Sequence, residues 1–347
     1  MTSDATVKTS VGLLVAVLLA FAVYQADVVF APLALALFII AIVWPLHHWL
    51  QARAPPLVAL AITMTVTIAV MLAFASLVVW GFERVVRSLI ADSSRYKAIY
   101  DTMVAWLDDH GVSVAGLWAE HFNVGWVLRR AQQVTGRVNT TLSFWLITLV
   151  YVILGLMEVD DLHRKAQAFL KPEAARVLLS ASADTALKFR KYMEVRTLMS
   201  LATGLMVGAF AFIAGLQFAA EWGVIAFALN YIPFIGPFIA TLFPTLLAMA
   251  QFDTWQAVLG VFVCLNIIQF VIGSYVEPRV SGAVLSISPS LVLFSVFFWT
   301  FLWGLFGAFI GVPIAMAMLT FCAHYPSTRW VADLLGGPAP AEPPEPG

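Results

Sequence analysis

Ala226–Thr241 reads AFALNYIPFIGPFIAT and lies inside a long apolar run, yet Pro233, Gly236 and Pro237 stand in its middle. A proline in a helix interior removes a backbone hydrogen bond and clashes with the preceding turn. In lipid the freed backbone groups are costly, so such breaks survive only when buried in protein or lining a wet cavity. Two readings are open. The stretch is either a kinked helix or tight turn between two ordinary spans, or a broken helix at a transport site. Asn230 adds an uncharged polar side chain just ahead of the break.

The surroundings fix the class of protein. The chain has 347 residues, 61% hydrophobic and 11% charged, with mean hydropathy +0.91. Soluble domains carry about 25% charged residues, so this composition specifies an all-α membrane protein with many spans. A net charge of −1, without a compact basic patch interleaved with aromatics, gives no footprint for nucleic acid. Cys264 and Cys322 both lie in apolar runs and form neither a metal spacing nor a disulfide framework. Lys8, the apolar run from Val11 to Val23 and Ala20-Phe21-Ala22 resemble a secretory leader. The apolar character resumes at Val28, which favours an uncleaved membrane hairpin.

At about 20 apolar residues per crossing, spans are expected near 10–25, 28–49, 56–81, 139–157, 197–218, 222–250, 255–275 and 290–322. Two are too long for a simple crossing. The 222–250 run holds the Pro/Gly break, and 290–322 holds Gly304, Gly307, Gly311 and Pro313, so each is a broken span or a pair of half-spans. Residues 1–335 thus form one polytopic membrane domain of about eight helices. Two polar insertions interrupt it. In 82–138, Val86, Leu89 and Ile90, then Tyr96, Ile99, Met103, Trp106 and Leu107, recur at helical spacing, which predicts amphipathic helices. The second, 158–196, holds eight basic residues, Arg196 the last of them. The positive-inside rule puts 158–196 in the cytoplasm, 82–138 outside and both termini inside. Such faces lie on the bilayer surface or against another helix, and contact with neighbouring subunits is expected. The Pro/Gly-rich tail 336–347 is expected to be disordered.

Charges are nearly absent from the span middles: Asp27, Glu221 and Glu277 all fall near predicted ends, where water is within reach. Membrane-embedded ionisable groups usually mark proton or ion paths, so a proton-relay antiporter is not the first reading. What remains at depth is neutral: Asn230, and Asn266 with Gln269 three residues on. These suit a polar, uncharged or weakly charged solute, or else they join spans by interhelical hydrogen bonds. Glu277 and Arg279 are either a gating ion pair or interfacial charges. Gly204 with Gly208, and Gly304, Gly307 and Gly311 ahead of Pro313, read as small-residue packing faces. His47 and His48 point to different faces with no third ligand nearby, so no metal or other cofactor is expected. Without a nucleophile motif, a phosphate loop or paired carboxylates, neither is an enzyme.

NYIPFIGPFIA (Asn230–Ala240), YVEPRVSG (Tyr275–Gly282) and SISPSLVLFSVFFWTFLWGLFGAFIGVPIAMAM (Ser286–Met318) resemble the autoinducer-2 exporter family of bacterial membrane proteins. The resemblance is specific over 190–322 and rests on general layout before that. It implies a multi-pass inner-membrane transporter, a homo-oligomer, exporting a small polar solute such as the autoinducer-2 quorum-sensing signal. The expected path runs along Asn230, Pro233, Gly236, Pro237, Asn266 and Gln269, with Glu277 and Arg279 near the outer mouth. The resemblance also admits a sodium/proton antiporter, with H+ or Na+ as coupling ion. A non-transporting scaffold that holds partner proteins is the reading from a different class.

Overall fold

The computed structural model describes residues 2–91, 105, 109, 138–281 and 287–336. The regular elements among them are helical, apart from a single bridge between Ile287 and Gly336. In chain order they are α1 (Thr2–Gln25), α2 (Asp27–Gln51), α3 (Pro56–Ala91), α4 (Val138–Phe169), α5 (Pro172–Ile213), α6 (Ala219–Leu229), α7 (Ile235–Gln251) and α8 (Trp255–Val271). A π-helix (Ile272–Val276), α9 (Glu277–Ser281), α10 (Pro289–His324) and α11 (Arg329–Leu335) complete the chain. Six helical stretches among the described residues are long and apolar enough to cross a membrane: 27–51, 56–88, 142–169, 172–213, 255–281 and 289–324.

The polar insertions are in part continuations of spans. No breaker follows residue 81, so α3 runs on to Ala91 and takes Val86, Leu89 and Ile90 with it. The later amphipathic positions, from Tyr96 to Leu107, and the tail beyond Gly336 lie outside the described residues. The basic 158–196 segment is the end of α4 and the first half of α5, parted at Leu170-Lys171. Pro172 opens α5, where its missing N–H costs no intrahelical bond. With 42 residues, α5 is about 60 Å long, twice a hydrocarbon core, so its basic half must project beyond the membrane.

The backbone packs into two compact units, each drawn from separated stretches: 1–64, 143–192 and 283–347 in one, 65–142 and 193–282 in the other. Each contains a helical hairpin with an arm too short for a full crossing. In the second unit the long 222–250 run is α6 and α7 folded back on each other. Their far ends meet: Gln251 donates from Nε2 to Gly215 O at 2.6 Å and accepts at Oε1 from Gln217 N at 2.8 Å. With 11 and 17 residues, α6 and α7 are about 16 and 25 Å long, short of a full crossing. The run is therefore a pair of half-spans.

In the first unit α10 also turns back. Trp303 and Gly304 leave helical geometry, Gly304 at φ +62°. A Cβ on Gly307 would fall 1.8 Å from Trp299 O and one on Gly311 2.8 Å from Ser295 O, pairs that step outward from the turn. Segments 289–302 and 305–324 are thus antiparallel arms whose backbones nearly touch. Gly304 itself faces open space, so its part is to make the turn and not, as its sequence company suggests, to pack. Pro313 is buried in the second arm. Phe38 of α2 wedges between Phe189 of α5 (centroids 5.1 Å) and Phe309 of α10 (6.2 Å). Lys188 donates to Thr320 Oγ1 at 3.0 Å, tying α5 to the returning arm.

Gly236→Ala sets a Cβ 1.9 Å from the Leu229 carbonyl oxygen, a backbone atom without freedom to yield, whereas a Cβ at Gly260 meets nothing within 4 Å. Gly236→Ala and Gly307→Ala should each cost about 3 kcal/mol. Gly260→Ala should leave stability unchanged or raised. Reversible unfolding in detergent micelles checks all three.

Candidate functional site

The tip of the α6–α7 hairpin carries the polar groups. Asn230 continues from α6 as its cap, its N–H bonded to Ala226 O at 3.0 Å. Ile232 N reaches Leu229 O (2.9 Å), Gly236 N reaches Ile232 O (3.0 Å), and Ile235 N closes onto Pro233 O at 2.7 Å. The last bond spans a three-residue turn with Phe234 at φ +62° and ψ −52°, a rare and strained form for a residue with a side chain. Pro233 is buried in the turn, and Pro237 sits in the first turn of α7.

Helix α5 supplies the wall behind the tip. Asn230 Nδ2 donates to Ser200 Oγ at 3.3 Å, and Tyr231 OH donates to Thr197 Oγ1 at 3.1 Å. Asn230, Tyr231 and Ser200 are buried. Phe74 of α3 meets Phe227 (6.0 Å) and Tyr231 (5.6 Å), which themselves pack edge-on at 5.6 Å, so an aromatic cluster holds the hairpin's other flank. One turn from Ser200, Gly204 approaches the hairpin so closely that a Cβ there would lie 2.7 Å from Gly223 O; a Cβ on Gly208 would lie 3.4 Å from Gly223 Cα. Between these glycines and Ser200, the buried Thr203 hydroxyl has no partner among the described residues.

The remaining sequence candidates separate. Asn266 is exposed and donates to Phe262 O of its own helix at 2.8 Å, while Gln269 Nε2 is buried without a partner among the described residues. The two therefore do not act as a pair. Arg279 is exposed. Glu277 is turned instead to Arg196 of α5, with Nη1 3.2 Å from Oε1 and 3.4 Å from Oε2. Arg196 lies at the end of α5's apolar half that adjoins the basic residues, and the Gly215–Gln251 link lies at the other end. Glu277 is thus at the end of the apolar half of α5 that adjoins the basic segment. Among the described residues no three His, Cys, Asp or Glu side chains gather in a metal-sized group. His47 is buried against Thr63 Oγ1 at 3.2 Å.

Half-span hairpins with polar tips inside apolar helical units are an arrangement found among membrane transporters. The family model for AI-2E family transporters matches residues 13–327. The chain belongs to that family. It is similar to the AI-2 transport protein TqsA of Escherichia coli (strain K12), 27% identical over 84% of this chain and 85% of the relative. A putative transport protein of Borreliella burgdorferi is 32% identical over 54% of this chain and 52% of its own. The putative transport protein YrrI of Bacillus subtilis (strain 168) is 22% identical over 86% of both. The protein is a multi-span membrane transporter.

Three α5 residues beside the hairpin escape a reading by composition: Arg196, which pairs with Glu277, and Thr197 and Ser200, which bond the tip. Arg196 counts with the cytoplasmic basic residues, and single hydroxyls in an apolar span are ordinary. The available signal was spacing, since Arg196, Ser200 and Thr203 recur at i, i+4 and i+7 on one helical face. Glu221 is a correction of a different kind. Its place near a span end suggests contact with water, yet its side chain is 5% exposed because Arg84 of α3 covers it, Nη1 to Oε1 2.8 Å.

Arg84 is 64% exposed, so the two partners of this pair are unequal. Arg84→Ala strands a buried carboxylate and should cost about 2–3 kcal/mol, whereas Glu221→Gln leaves a guanidinium that water can solvate and should cost less. A double-mutant cycle on detergent unfolding measures both losses. Equal losses would show that Glu221 is not sealed from solvent.

Proposed function

We propose that this AI-2E transporter exports a small polar organic solute, such as autoinducer-2, across the bacterial cytoplasmic membrane. The solute passes at the broken tip of the α6–α7 hairpin. The single observation that carries this reading is the tip itself, a strained turn joined to α5 by two neutral side-chain hydrogen bonds, Asn230–Ser200 and Tyr231–Thr197. Opening it exchanges those two bonds for bonds to the solute and uncovers the Thr203 hydroxyl. Pro233, Gly236 and Pro237 shape the turn. Gln269, with a buried amide nitrogen still to be satisfied, and Asn266 lie further along the path, and Glu277 and Arg279 lie at its end. Among the relatives, TqsA is named an AI-2 transport protein.

The family resemblance and the positive-inside bias support the remaining parts of the reading: a homo-oligomer with both termini in the cytoplasm. No nucleotide-binding motif is present in the sequence, so in this reading energy comes from a proton or sodium gradient, from the solute's own gradient or from a partner.

Purified protein in liposomes loaded with labelled autoinducer-2 and a panel of polar metabolites, under an imposed pH or sodium gradient, tests this directly. Efflux of an organic solute is expected. Asn230→Ala and Ser200→Ala should each raise KM about tenfold, the effect of one lost hydrogen bond to the solute. Cation-coupled pH changes without movement of any organic solute would sink the exporter reading in favour of an antiporter.

A further inference from the structure

Arg196 and Glu277 form an ion pair with both partners enclosed, their side chains 11% and 26% exposed. The guanidinium springs from the turn of α5 that also presents Thr197 and Ser200 to the hairpin tip, so the pair borders the path proposed above. Breaking such a pair leaves an uncompensated charge in a poorly solvated place unless something replaces the lost partner. Both carboxylate oxygens approach one nitrogen, Nη1, at 3.2 and 3.4 Å, where charge-assisted bonds are usually about 2.7–2.9 Å and the preferred arrangement is a two-nitrogen fork. Arg84 and Glu221, at 2.8 Å, show that a tight pair is made elsewhere in the same unit.

Glu277 is also held by an unusual backbone. It directly follows the π-helix Ile272–Val276, and its own N–H bonds to Ile272 O, one residue further back than in an α-helix. Single π-turns of this sort are uncommon and concentrate at functional positions. The added residue rotates α9 by about a third of a turn, which aims Glu277 at α5 while Arg279 stays exposed.

We propose that Arg196 is the specificity-determining residue of the path and that Glu277 is its internal stand-in for the solute. The solute class is then a small organic oxyanion, a carboxylate or phosphate that also bears hydroxyls. Its two anionic oxygens replace the singly held carboxylate with a fork on the guanidinium. Its hydroxyls take over from Asn230, Ser200, Tyr231 and Thr197, and Glu277, already partly exposed, swings to water. No covalent bond is made or broken; a carboxylate solute conserves the single negative charge facing Arg196, and a phosphate raises it. This replaces the neutral or weakly charged solute that the uncharged side chains suggest in the sequence. It rests on the transport reading of the hairpin tip.

The test uses full-length protein in liposomes and two matched labelled pairs, gluconate with glucose and ribose 5-phosphate with ribose. Wild type should move at least one anion about tenfold faster than its neutral partner, and which anion moves separates carboxylate from phosphate recognition. Arg196→Lys keeps the charge but not the fork and should raise the anion's KM about tenfold. Glu277→Gln removes the competitor and should lower that KM several-fold. The charge-reversed double variant, Arg196→Glu with Glu277→Arg, keeps an ion pair to support folding and should lose the anion preference. Neutral and anionic members moving equally, or Glu277→Gln raising KM with Arg196→Lys slowing both members alike, would overturn the assignment while leaving the transporter reading intact. Wild type that moves no organic solute would remove that reading and this inference with it.

Discussion

Every backbone N–H and C=O in an apolar medium must find a partner, and this requirement governs how the chain can stop a helix inside the membrane. A new helix ordinarily leaves its first four N–H groups unpaired. At the start of α7 those positions are Ile235, Gly236, Pro237 and Phe238. Pro233 O, Ile232 O and Phe234 O receive the three N–H groups present, and Pro237 has none to offer. The residues that break the helix are thus also those that reduce the demand created by the break. The same bonding forces Phe234 into a positive φ, so the tip is satisfied but strained.

The hairpin is fastened unevenly. At its root Gln251 clasps two backbone groups, and the Arg84–Glu221 ion pair adds a charge-assisted bond with one partner buried. At its tip two neutral hydrogen bonds of 3.1 and 3.3 Å join side chains across to α5. Neutral bonds contribute about 1 kcal/mol each and bonds to charged groups about twice that. In the transport reading proposed above, displacement of the hairpin starts at the strained tip. Low local stability at a binding loop and rigidity behind it are what a gated site requires.

The sequence makes the class of the protein and the place of its first break plain. Composition alone demands a membrane protein, and prolines in an apolar run mark where the helix must stop. Whether the chain continues across the membrane after a stop or turns back is a different matter. Turning back depends on Gly236 lying against Leu229 O and on Gln251 reaching Gly215, contacts whose partners no local pattern names. The second hairpin is harder still. Its turn at Trp303-Gly304 has no proline, and Gly304 stands in a run with Gly307 and Gly311 that looks uniform. Backbone angle divides the turning glycine from those that pack, and spacing does not encode that angle.

Charge pairing obeys the same logic and bears on what this transporter can do. Arg279 is Glu277's neighbour in sequence, but two residues along a helix point to different faces. Arg196, 81 positions away, is the one brought within reach. Glu221 likewise pairs across 137 positions. An exchanger of cations and protons needs a carboxylate that stands bare in turn to each side. In this unit Glu221 and Glu277 each face a guanidinium.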